Sequence, residues 1–361
     1  MLDSGARPVH PPAMQIDCDI HPGTPDTAAL FPYLPEHWRD MSAMRGIADL
    51  HSTNYPDMTP LAARSDWRPP KGRPGTDAAV VAAQCLEPFG SDIGILNPLF
   101  PVQSFHSDDL AQAYASALND WTRGDFLDRD PRFRASIVVS LENIEMAVAE
   151  IERCAPDRRF VQVLVLAGTA RPLGRRNHWP IYEACVRHDL ALAIHAGQEF
   201  RNAPTALGWP SYYLEDYVAH AQSFQYQLTS LFCEGVFNRY PTLKVVLLES
   251  GWTWVPALLW RIAKYWGGLR FEVPWTDRSP EEVVRDQLRF SLTPVDGPDT
   301  DQLRRVIDHL GSDQLILFST DYPHSQFEGA DPFPSTFDPA LRSIISGDAP
   351  LATYARLGGA P

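Results

Sequence analysis

Paired thiols, basic patches and long apolar runs are all missing from this 361-residue chain. Its five cysteines (Cys18, Cys85, Cys154, Cys185 and Cys233) stand far apart and form no Cys-x-x-Cys. That spacing argues against a disulfide framework or a thiolate zinc site, and for buried thiols in a reducing compartment. No run of about 18 apolar residues occurs, so no membrane span is expected. The 31 Lys+Arg against 45 Asp+Glu leave a formal charge of −14, and the basic residues are scattered, with Arg175-Arg176 and Arg304-Arg305 notable as pairs but no basic patch. Such a balance repels phosphate backbones, so nucleic acid is not an expected partner. Nucleotide signatures are also missing: no strand runs into Gly-x-Gly-x-x-Gly, and there is no Gly-x-x-x-x-Gly-Lys-Ser/Thr. Met1–Pro12 has no charged-then-apolar leader pattern, which points to a cytoplasmic location.

What is present is a regular alternation. Residues 1–14 read as a lead-in, and Ile16–His21 as a first strand stopped by Pro22-Gly23, since proline cannot continue a central ladder. Residues 24–78 are rich in Pro, Trp, Arg and His and poor in periodicity. They are expected to form a long excursion over the site mouth, with short helical pieces near Thr27–Tyr33 and His37–Ala43. From Ala78 onward, helical spacings alternate with short apolar strands at Ile93–Leu96, Ala135–Ser140, Phe160–Leu166, Ala191–His195, Leu243–Glu249, Phe290–Leu292 and Leu315–Ser319. A long helix is expected over Leu214–Arg239. Strands separated by helical crossovers imply a parallel sheet, and eight such units in a chain of this length are the size of a (β/α)8 barrel. The expected class is therefore α/β, a (β/α)8 TIM barrel, with residues 15–361 as one domain. Its active site belongs at the C-terminal ends of the strands.

Three of those ends carry metal-ligand side chains. Asp19 and His21 lie two apart on one strand and so point to the same side. His195 ends another strand, and Asp321 follows the last in Phe318-Ser319-Thr320-Asp321-Tyr322-Pro323-His324. Two carboxylates and two imidazoles suit one divalent ion, with Zn²⁺ the expected one and Mn²⁺ or Fe²⁺ as alternatives. Cys18 points the other way along the pleat and is expected in the core.

The order Asp17-x-Asp19-x-His21, His195, Asp321-Tyr322-Pro323-His324 resembles the amidohydrolase superfamily. Gly235-Val236-Phe237-Asn238-Arg239-Tyr240-Pro241 and Glu249-Ser250-Gly251-x-x-Trp254-x-Pro256-x-Leu258 resemble its amidohydrolase-2 branch, which includes aminocarboxymuconate-semialdehyde decarboxylase-like enzymes. The resemblance spans about residues 14–358 and implies the barrel, the metal site, a small-molecule substrate and a homodimer as the assembly. The chain departs from it where such decarboxylases carry a histidine after strand six, because Glu249 stands there.

That departure sets the expectation of a metal-dependent hydrolase acting on an amide, cyclic imide, lactone or similar carbonyl substrate. Asp321, Glu249 and His324 would be its catalytic groups. Non-oxidative decarboxylation of an aromatic or unsaturated acid is the alternative, and a non-catalytic binding barrel is a third reading. Trp254, Arg261 and His178 are the expected substrate contacts. Asn97 and His220 are weaker candidates, and His51, Tyr55, Arg64 and Arg68 of the excursion are candidate covers.

Overall fold

The computed structural model describes residues 14–24, 26–47 and 63–358. Most of the lead-in and part of the excursion, His51 and Tyr55 included, lie outside the described residues. Eight parallel strands follow one another around a single sheet in chain order. They are β1 Ile16–Ile20, β2 Ile93–Leu96, β3 Phe133–Val138, β4 Phe160–Gly168, β5 Ala191–Gln198, β6 Val245–Leu248, β7 Leu288–Ser291 and β8 Ile316–Leu317. The sheet closes on itself: Cys18 N donates to Phe318 O (2.9 Å), His21 N donates to Tyr322 O (2.7 Å), and Ile20 bridges Tyr322 in parallel. The expected (β/α)8 barrel is what the chain forms.

Local chemistry explains the helical layer. Ser107 accepts from Leu110 N to start the helix Asp108–Thr122, and Asn143 accepts from Met146 N to start Ile144–Cys154. Ser279 and Glu282 form a reciprocal capping box at Pro280–Gln287. Each cap satisfies amides that a helix leaves unpaired at its start. Large side chains such as Trp252, Phe133, Phe160 and Phe290 are fully buried. Each such burial stabilises the fold by roughly 1.5–3 kcal/mol.

One expectation changes. The helix over Leu214–Arg239 is two pieces, Tyr213–Cys233 and Val236–Arg239. Gly235 breaks it in the left-handed conformation (φ +78°), and a Cβ there would meet Trp275 Cδ1 at 2.3 Å. The front of the excursion packs on the helical layer. Its helix Glu36–Arg45 and the preceding turn lie along Asp108–Thr122 and the residues just after it, through Ser42 Oγ with Tyr114 Oη (2.9 Å) and Tyr33 Oη to Asp125 Oδ2 (3.2 Å). Further along the excursion, Ala63 and Arg64 meet the segment after Asp321: Ala63 bridges His324, and Arg64 N donates to Pro323 O (2.9 Å).

Candidate active site

The inner face of the barrel turns polar toward its C-terminal mouth because Asp17, Asp19, Asn97, Ser136, Gln162 and His195 all lie there, buried. Cys18, on the opposite face of β1, packs beside Tyr354 in the core as expected. Asp17 is fixed by Thr320, whose amide (3.1 Å) and hydroxyl (2.6 Å) both donate to it. That bond ties β1 to the loop carrying Asp321.

Asp19, His21, His195 and Asp321 converge, each offering a ligand atom within 4.8 Å of the others. Their outward contacts settle how they face. His21 Nδ1 bonds Asn97 O (2.9 Å) and His195 Nδ1 bonds Ala196 O (2.7 Å). Each ring therefore donates to a carbonyl at Nδ1 and turns Nε2 inward, the tautomer a metal requires. Asp19 Oδ2, His195 Nε2 and Asp321 Oδ2 are buried and have no hydrogen-bond partner. Buried polar atoms are rarely left so, and three converging ones of ligand type fit a bound cation.

The electrostatics agree. Burial, and then the charge of Asp321, push the Asp19 carboxyl well above its usual range. Burial also pushes Asp321 up, but His324 and His21 outweigh it and hold this carboxyl below its usual range. Burial lowers His195 to about 3, keeping it neutral. Two buried carboxylates in one pocket with a neutral imidazole are an arrangement that a divalent ion stabilises. The donor set thus fits one divalent metal.

Glu249 and His324 stand beside the cluster. Glu249 Oε2 is 3.6 Å from His195 Nε2, and His324 Nδ1 is 3.0 Å from Asp321 Oδ1. Burial and then Asp321 raise Glu249 to about 7. Burial lowers His324, yet Asp321 and Glu249 more than offset it and bring it to about 9. Among the described residues only four non-glycines have positive φ, and two are Glu249 (54°) and Asp321 (55°). Such backbone costs roughly 1–3 kcal/mol per residue and is retained where a side chain must be aimed.

Sequence reasoning missed Tyr217 and Gln326. Tyr217 Oη (3.2 Å) and Gln326 Nε2 (2.8 Å) both donate to Glu249 Oε1, and Gln326 also donates to Tyr217. Tyr213, Tyr217 and His220 line one face of the helix Tyr213–Cys233, with ring centroids 5.8 and 5.7 Å apart in succession. Their i, i+4, i+7 spacing was the available signal.

The expected substrate contacts fare differently. Arg261 is exposed and stacks over Tyr265 at 5.4 Å, so it is directed to the surface of its helix and not to the cluster. His178 is buried with Nδ1 toward Leu173 O (3.4 Å), held under its own loop. Trp254 donates from Nε1 to Ser250 O (2.9 Å) and packs edge-on to Phe290, which makes it a wall of the β6 loop. Asn97, one of the weaker candidates, stands behind a ligand and donates from Nδ2 to Asp19 Oδ1 (2.8 Å).

Comparison with known proteins agrees with this fold. A γ-resorcylate decarboxylase of Polaromonas sp. (strain JS666 / ATCC BAA-500) is 26% identical over 266 residues, covering 70% of this chain and 79% of its own. An amidohydrolase from Mycobacterium avium subsp. paratuberculosis K-10 superposes with a TM-score of 0.73 at 20% identity, over 96% of this chain and 99% of its own. A dihydroxybenzoic acid decarboxylase from Polaromonas sp. JS666, solved with manganese and the inhibitor 2-nitroresorcinol, gives 0.62 at 21% identity over 96% and 98%. The amidohydrolase family model matches residues 16–355, nearly the whole chain, so this protein belongs to that family.

Proposed function

We propose that the protein is a metal-dependent, non-oxidative decarboxylase of an aromatic carboxylic acid bearing a hydroxyl next to the carboxylate. The observation that carries this reading is the convergence of Asp19, His21, His195 and Asp321, with three buried atoms left for an ion, in a chain whose sequence relative is a γ-resorcylate decarboxylase. These four residues would hold a divalent ion, which would supply Lewis acidity to the bound substrate. The manganese in the dihydroxybenzoic acid decarboxylase structure makes Mn²⁺ the first ion to test.

The chain's own residues then handle one proton. His324 holds it at Nδ1, 3.0 Å from Asp321 Oδ1, and Asp321 passes it to the ring carbon bearing the carboxylate. The ring π system supplies the electron pair of the new C–H bond, and the C–CO₂ bond then breaks with its pair returning to the ring, which restores aromaticity as CO₂ leaves. The side chain of His324, 24% exposed, recovers a proton from solvent. Glu249 is turned by Tyr217 and Gln326 so that Oε2 faces the cluster, where it accepts a hydrogen bond from a ring hydroxyl.

Glu249 also favours a second reading, the hydrolysis expected from the sequence, because a carboxylate at that position can take a proton from water. A panel of hydroxybenzoates, assayed for CO₂ release with Mn²⁺ or Zn²⁺, separates the two. Release of CO₂ supports the decarboxylase. Turnover of amides or lactones without it supports the hydrolase.

A further inference from the structure

Asn97 follows β2 directly, and its hydrogen-bonding groups are fully occupied. Its amide N donates to Ile20 O (2.7 Å), and its carbonyl O accepts from His21 Nδ1 (2.9 Å). Its side-chain Nδ2 donates to Asp19 Oδ1 (2.8 Å) and Cys18 O (3.1 Å). Its Oδ1 accepts from Ser136 Oγ (2.5 Å) and Gln162 Nε2 (2.9 Å), and Gln162 Nε2 also reaches Ser136 Oγ (3.0 Å). Asn97, Ser136 and Gln162 are fully buried.

An asparagine amide has two donor hydrogens and an oxygen with two lone pairs. Here the Cys18 carbonyl can only accept, so the NH₂ must face β1, and Oδ1 is left to take the donors from β3 and β4. There it grips Asp19, while the backbone carbonyl of the same residue sets the tautomer of His21. One residue thus controls the rotamer of one strand-one ligand and the protonated nitrogen of the other. No other side chain supplies both donors and both acceptor pairs at this reach: aspartate loses the donors, serine is too short, and glutamine is one methylene too long.

We infer that Asn97, held by Ser136 and Gln162, is the positioning residue that presets Asp19 and His21 for the metal ion. The inference rests on the reading that those two residues hold the ion. Partners behind metal ligands affect affinity by about 10- to 100-fold in other metal sites. His195 is outside this network because Ala196 O fixes its ring.

The test is titration calorimetry of Mn²⁺ into the metal-stripped full chain, with circular dichroism to show that each variant is folded. Asn97→Ala is expected to weaken Kd by about 10- to 100-fold. Ser136→Ala keeps Asn97 but frees one lone pair of its amide, and should weaken Kd by about 2- to 10-fold, which keeps the test open if Asn97→Ala does not fold. Asn119→Ala is the matched control. Asn119 is as buried and donates to Val138 O (3.0 Å) and Glu150 Oε1 (2.8 Å), away from the ligands. It should lower the melting temperature and leave Kd within two-fold. Wild-type Kd in both Asn97→Ala and Ser136→Ala, or an equal loss in Asn119→Ala, overturns the assignment. Asp19→Ala and His21→Ala serve as reference variants: if they keep wild-type affinity the ligand reading itself falls, and if they lose it while the Asn97 network variants do not, only the positioning role falls.

Discussion

Glu249 Oε2 lies 3.6 Å from His195 Nε2, which puts a third carboxylate at the edge of the Asp19, His21, His195 and Asp321 cluster. The carboxylate is held in a fixed orientation. Both donors on Oε1 come from outside the ligand set, from Tyr217 on the helix Tyr213–Cys233 and from Gln326 beyond β8. Segments after three separate strands (β5, β6 and β8) therefore set where Oε2 stands.

Tyr217→Phe keeps the ring and removes one donor to Glu249. Turnover should fall about 10-fold, the equivalent of roughly 1.4 kcal/mol, a loss typical of one hydrogen bond to a charged group. If Tyr217 acts only through Glu249, the same change in a Glu249→Gln background should cost less than two-fold. Steady-state kinetics on the four proteins of this cycle measure the coupling, and additive losses would show that Tyr217 acts elsewhere.

Metal removal gives the ligand prediction. Chelation should abolish activity, and added Mn²⁺ should restore it. His195→Ala and Asp321→Ala should each weaken Mn²⁺ binding by more than the roughly 10- to 100-fold attached to outer partners. Metal content after dialysis checks this, and a fully metallated His195→Ala protein would remove His195 from the set.

Arg261→Ala should be nearly silent. Its guanidinium is exposed over Tyr265, so kcat/KM should stay within two-fold and stability within about 0.5 kcal/mol. A large rise in KM would return Arg261 to the substrate.

Glu199 provides a pH prediction away from the ligands. It follows β5, accepts from Ala170 N (2.9 Å), and has an Oε1 with no partner; burial raises it from 4.5 to about 7. The folded state therefore holds a proton that the unfolded chain has released between those values. Stability should fall as pH rises from about 4.5 to 7 and then level off, by an amount on the order of 3 kcal/mol from this group. Glu199→Gln should remove that part of the slope. Urea unfolding of both proteins at pH 5 and pH 8 measures it, and identical slopes would contradict the burial argument.

The four converging residues could be read from the sequence because strand-end position and barrel topology together dictate convergence. Asp19 and His21 share a pleat face, and parallel strands deliver their C-terminal ends to one rim. What stayed hidden depends on side-chain direction. Asn97 is one asparagine after a four-residue strand, and nothing in its neighbours shows that Ser136 and Gln162 converge on its amide. Tyr217 and His220 carry a helical spacing, but spacing does not say which face meets the barrel. The direction of Arg261 stayed hidden because a basic residue seven positions past Trp254 suits either an anchor or a surface cation. Gly235 alone divides a pattern that reads as continuous helix through Arg239.

The most direct measurement is CO₂ release from 2,6-dihydroxybenzoate by the Mn²⁺-loaded protein, followed with formation of 1,3-dihydroxybenzene. The account predicts stoichiometric release that chelation abolishes, that Mn²⁺ restores, and that Asp321→Ala lacks. Folded, metal-loaded protein that releases no CO₂ from this or any other ortho-hydroxybenzoate, while hydrolysing an amide or lactone, would contradict it.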